Sequence, residues 1–82
     1  MELVEITRGH LWVKVGGKSI TIYGEAFLRG YGSPDFVLYQ NSIEKWDVPD
    51  DKENLTIIEK EQLIQFLKGE FSRGKILLEI EE

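Results

Sequence analysis

The sequence has no cysteine. Disulfides, thiol nucleophiles and cysteine-ligated metals are therefore excluded. Histidine occurs once, at His10. A histidine-based zinc site needs more than one imidazole, and a serine triad would have to recruit His10 with Ser19, Ser33 or Ser42. His10 follows a glycine between two alternating runs, so it reads as a turn residue. No stretch approaches the roughly 20 apolar residues that cross a bilayer. The opening Met1-Glu2-Leu3-Val4-Glu5 lacks the basic and apolar segments of a secretory signal, so the expected location is cytoplasmic. In that compartment the sequon Asn54-Leu55-Thr56 carries no sugar.

An excess of positive charge is also missing. The 82 residues hold 10 Lys and Arg against 15 Asp and Glu, a net charge of −5. Nucleic-acid recognition needs a basic stripe, so no direct nucleic-acid partner is expected. An acidic chain is steered instead toward basic proteins. The hydrophobic fraction of 41% and charged fraction of 30% are those of an ordinary globular domain. Residues 1–82 are therefore read as one domain with a modest core.

Residues 2–24 read as three antiparallel strands. Gly9-His10 and Gly16-Gly17 each suit a two-residue hairpin turn. The first turn sets Ile6 opposite Val13 and Val4 opposite Val15. The second sets Val13 opposite Ile20 and Leu11 opposite Ile22. One face then carries the apolar row Ile6, Val13, Ile20. The other aligns Thr7, Trp12 and Thr21 and places Glu5 opposite Lys14. Past Gly24, Ala26 and Leu28 alternate with Phe27 and Arg29, which predicts a further strand or a bent continuation. Residues 30–34 are a loop on composition.

Phe36 and Leu38 alternate with Val37 and Tyr39, the period of two of a strand over 35–39. Gln40-Asn41-Ser42 interrupts it with side chains that compete for backbone hydrogen bonds. Trp46 is expected in the core, stapling the loop beneath the helix, and residues 47–54 read as a solvated acidic loop. Thr56 and Glu59 have capping-box spacing. Leu63, Ile64, Phe66, Leu67 and Phe71 then fill one side of a helix that stops at Gly74. Ile76, Leu78 and Ile80 share a face of a last strand over 75–82. The expected fold is α+β: an antiparallel sheet of five to six strands, an N-terminal meander first and a C-terminal strand last, with one helix packed on one face.

No catalytic set emerges. Gly16-Gly17-Lys18-Ser19 lacks the leading glycine of a phosphate loop, and a hairpin accounts for its glycines. Asp47, Asp50, Asp51 and Glu53 lack the glycine and glutamate spacing of a calcium loop. Nothing in their spacing brings Glu25, Asp35 and Glu44 together as an acid–base pair. No catalytic residue, metal ligand or cofactor is expected, and the chain reads as a non-enzyme. Recognition remains. Asp47, Asp50, Asp51 and Glu53 form the expected contact surface, with Tyr39 and Trp46 supporting or joining it. Trp12, on the outward face of the meander, is a further candidate anchor.

The run DFVLYQNSIEKW at residues 35–46, then Pro49, an acidic gap and a helix start at Leu55-Thr56-Ile57-Ile58-Glu59-Lys60, resembles the immunity protein 74 family. Ile20-Thr21-Ile22-Tyr23-Gly24-Glu25 is also similar to members of that family. The resemblance implies a small bacterial cytosolic protein, associated with polymorphic toxins, that binds and neutralises one cognate toxin. A basic nuclease is one toxin class that the acidic surface would fit. The rival reading is a small acidic interaction module or accessory subunit with no catalytic activity.

Overall fold

The computed structural model describes residues 1–27 and 34–82. The meander consists of β1 (Glu2–Ile6), β2 (His10–Val15) and β3 (Lys18–Ala26). β4 (Phe36–Tyr39) runs into a single 3-10 turn at Gln40–Ser42, and α1 (Ile57–Arg73) and β5 (Leu78–Glu81) follow. The strands form one sheet in the order β1-β2-β3-β4-β5. The α+β class, the meander, the helix and the C-terminal strand are as expected.

The second hairpin has the expected register. Val13 pairs with Ile20, Leu11 with Ile22 and Trp12 with Thr21. Gly16 takes a φ of 63° at the turn, a left-handed conformation that glycine adopts without a Cβ clash.

The first hairpin corrects the expectation. Ile6 lies opposite Leu11 rather than Val13, Leu3 opposite Val13, Glu5 opposite Trp12 and Glu2 opposite Lys14, with the register shifting between Leu3 and Glu5. The apolar row is therefore Leu3, Val13, Ile20. Ile6 and Val4 stay 46% and 38% exposed. Thr7 is the cause. Its hydroxyl accepts from the amides of Gly9 at 3.3 Å and His10 at 3.1 Å, and it bonds the His10 Nδ1 at 3.0 Å. A threonine that binds its own downstream backbone makes the turn itself, so the loop is Thr7-Arg8-Gly9 and His10 opens β2. The carbonyls of Arg8 and Gly9 then accept from Ala26 at 2.9 Å and Gly24 at 3.1 Å. The loop thus continues the ladder along β3 beyond the end of β2.

β3 runs through Gly24 to Ala26, so the chain continues there rather than starting a new strand. Leu28, Arg29 and residues 30–33 of the expected loop lie outside the described residues. A Cβ on Gly24 would lie 2.3 Å from the Val37 carbonyl oxygen and 2.5 Å from the Phe36 ring, so the approach of β4 requires glycine.

The expectation of an antiparallel sheet also needs correction at its far edge. β4 and β5 are parallel, with Phe36 opposite Leu78 and Leu38 opposite Ile80, so the sheet is mixed. The 17-residue helix between the two strands carries the chain back to the end where β4 began, which is how parallel neighbours are connected.

Leu63, Leu67 and Phe71 of α1 bury against Leu11, Val13, Ile20, Ile22, Phe36 and Leu38 of the sheet, joined by Ile43 and Trp46. Phe36 and Phe71 meet with ring centroids 5.9 Å apart and planes tilted by 59°. Ile64 and Phe66 pack half-buried at the margin. The capping box forms as read: Thr56 Oγ1 accepts from the Glu59 amide at 3.1 Å, and Glu59 Oε1 accepts from the Thr56 amide at 2.9 Å. Gly74 is the C-cap, while the left-handed step falls one residue later, at Lys75 with a φ of 57°. Among the described residues, no helix is long and apolar enough to cross a membrane.

Candidate partner-binding surface

β4 pairs only with Gly24, Glu25 and Ala26 of β3. The first half of β3 would otherwise leave its backbone groups open on that side, at a cost if they were buried unpaired. The segment after β4 fills the gap. The Tyr23 amide donates to Ser42 Oγ at 2.9 Å, and the Thr21 amide to Asp47 Oδ1 at 3.2 Å. The Asp47 amide donates in turn to the Ser19 carbonyl at 2.8 Å. The hydroxyls of Thr21 and Ser19 donate to Asp47 Oδ2 at 3.1 and 3.3 Å. Asp47 thus stands in for a strand residue through both its backbone and its carboxylate.

The acidic loop is pinned from other directions as well. The Asp50 amide donates to the Asp47 carbonyl at 2.9 Å, and the Glu53 amide to the Asp50 carbonyl at 3.1 Å. At its neck Lys45 and Asn54 form an isolated bridge, and Leu55 donates to the Glu44 carbonyl at 2.9 Å. Trp46 is 3% exposed and belongs to the core, as expected. Lys18 places its ammonium 5.4 Å from the Trp46 ring centroid and pairs with Glu53. That ammonium is held above the usual lysine value, first by the Glu53 hydrogen bond; burial opposes this, and the charges of Glu53, Asp50 and Glu59 add to it.

The four carboxylates are therefore not equivalent. Asp47 is half-buried against the sheet and Glu53 is tied to Lys18. Asp50 is half-buried, Asp51 is exposed, and the neighbouring Val48 is 78% exposed.

The second feature is the sheet face turned away from α1. Leu11, Val13, Ile20 and Ile22 point into the core, so the alternation of the pleat turns Trp12, Thr21, Tyr23 and Glu25 outward. β4 and β5 add Tyr39, Glu79 and Glu81 in the same register. Trp12 is half-buried with the Lys14 ammonium 5.7 Å from its ring centroid. Tyr23 is 57% exposed. The Tyr39 hydroxyl donates to Glu25 at 3.1 Å. That bond lifts its ionisation above the usual phenol value, followed by burial and by the charges of Glu25 and Glu81. Ser19 and Thr21, which bond Asp47, lie on this same face, so loop and face are one continuous surface. The sequence singled out Trp12 and Tyr39 as contacts, whereas Glu25 was weighed only as an acid or base and Tyr23 was not named as a contact. Their shared parity with Trp12 along the hairpin was the available signal.

Glu25 accepts from Tyr39, and Asp35 accepts from the Leu77 amide at 2.8 Å. Among the described residues, no three acidic or histidine side chains gather into a metal-holding group. A cleft of about 410 Å³ lies between the last turn of α1 and the start of β5, lined by Lys68, Phe71, Ser72, Lys75, Ile76, Leu77 and Leu78.

No curated protein and no solved structure matches the chain. The family model of immunity protein 74 matches it over residues 3–81, nearly its whole length. That family is one of immunity proteins, whose counterpart is a toxin. The chain belongs to the immunity protein 74 family.

Proposed function

We propose that this protein neutralises its cognate toxin by binding it stoichiometrically in the cytoplasm, and that the acidic loop helps to capture it. The reading treats the chain as an inhibitor rather than an enzyme, and a basic toxin, such as a nuclease, as its counterpart. The observation that carries it is the fastening of the loop. Asp47 and Trp46 lock its first residues to the sheet and core, and Lys18 holds its far side through Glu53. Asp50 and Asp51 are then presented on a preorganised segment, which lowers the ordering cost of docking. Their charge acts mainly on the association rate and is screened by salt.

The test is association kinetics with the purified cognate toxin domain, over a salt series. The Asp50→Lys, Asp51→Lys double variant should associate more slowly, most of all at low salt, with its unfolding midpoint unchanged. Equal rates at every salt concentration would remove the loop from the capture surface.

A further inference from the structure

We infer that the outward sheet face, rather than the acidic loop, holds the bound toxin, and that it accepts a basic, arginine-bearing surface. The inference rests on the inhibitor reading above and assigns it a contact area.

Three aromatic side chains stand on this face at successive positions across the sheet. Trp12 is on β2, Tyr23 on β3 and Tyr39 on β4. Tyr23 and Tyr39 are 57% and 36% exposed, although α1 covers the opposite face fully enough to leave Leu11, Ile20, Ile22 and Leu38 at 0%. Tryptophan and tyrosine are the residues that dominate binding energy when a partner seals them from water. Both present a large rigid area with few rotatable bonds.

Charge selects the occupant. Glu25 lies opposite Val37, and Val37 opposite Glu79, while Tyr39 lies opposite Glu81. The aromatic groups are thus interleaved with carboxylates. Within the strands, Lys14 is the lysine whose register places it on this face, and it sits over Trp12 at one side. A guanidinium meets both features at once, stacking on an aromatic face while bonding a carboxylate in bidentate fashion. A second copy of this chain would oppose carboxylates to carboxylates, so it is the poorer match. The loop adjoins this face through Asp47, Ser19 and Thr21, so capture by the loop delivers the toxin onto it.

The test uses the chain labelled with 5-fluorotryptophan, which reports two resonances, from Trp12 and Trp46. The probe is the purified cognate toxin domain. On titration the Trp12 resonance should move and lose its sensitivity to exchange of H2O for D2O. The buried Trp46 resonance should stay in place. The Tyr23→Ala, Glu25→Lys double variant should bind at least about tenfold more weakly, as loss of a dominant contact implies, with its thermal midpoint close to wild type. Full binding with Trp12 unmoved and the double variant unaffected would overturn this face and leave the inhibitor reading standing. No binding by the wild-type chain would overturn both. Movement of Trp12 with protein concentration in the absence of toxin would show self-association on this face and overturn the proposed occupant.

Discussion

Asp47 closes the edge of β3 by taking both the backbone amide and the hydroxyl of Thr21, at 3.2 and 3.1 Å. A carboxylate that replaces a missing strand partner is a stability group, which separates it from the neighbouring aspartates. Asp47→Ala should cost about 1–3 kcal/mol, the range for a hydrogen-bonded charged group whose partners are left open. Urea unfolding of this variant beside Asp51→Ala measures the contrast. Asp51→Ala should stay within about 0.5 kcal/mol of wild type. Equal losses would mean that Asp47 does not seal the edge.

Gly24 pairs with Leu38 of β4, with no room for a Cβ. Gly24→Ala would press its methyl group onto the Val37 carbonyl and the Phe36 ring. The expected loss is about 1–3 kcal/mol, as for other overpacked sites. Gly69→Ala is the control, because a Cβ there meets nothing within 4 Å. It should stabilise the helix by up to about 1 kcal/mol. Thermal and denaturant unfolding of both variants provide the check.

The helix start depends on a reciprocal pair. Thr56→Ala removes the acceptor for the Glu59 amide and should cost about 1 kcal/mol, with Thr56→Ser near neutral. An unchanged denaturation midpoint for Thr56→Ala would mean that the cap contributes nothing to stability.

Tyr39 should be slow to ionise. Its bond to Glu25 favours the neutral phenol, so its folded value lies above its unfolded one. The stability linked to it is fully present below the unfolded value and is lost as pH rises through the folded one. The absorbance difference between wild type and Tyr39→Phe should isolate a phenol component that ionises above the usual value of about 10. Glu25→Gln should move that component down while keeping an oxygen acceptor. A Tyr39→Phe profile that keeps this component would assign it to another tyrosine.

The parts legible in the sequence were those in which one local signal acted alone. Gly16-Gly17 could make only one tight turn, and the register of β2 on β3 followed from it. Thr56 and Glu59 specified the helix start, and the apolar spacing of Leu63, Leu67 and Phe71 specified its buried side. The first hairpin misled because two turn signals overlapped. Gly9-His10 offered a two-residue loop, but the Thr7 hydroxyl takes the Gly9 and His10 amides into a longer loop, and an irregularity at Val4 shifts the pairing again. The direction of β5 was concealed because its own alternation is the same in parallel and antiparallel pairing. Only the helix in the connection distinguishes the two. Within the acidic loop, composition showed four carboxylates, but not that Asp47 belongs to the sheet and Glu53 to Lys18. Those partners lie 26 and 35 residues away in sequence.

Alternation along β3 also has an evolutionary consequence. Ile20 and Ile22 answer to the helix, while Tyr23 and Glu25 lie on the outer face that the proposed contact uses. Each codon along the strand therefore falls under one selection or the other. A lineage can revise positions 23 and 25 to follow a changing adversary while positions 20 and 22 go on encoding the same core.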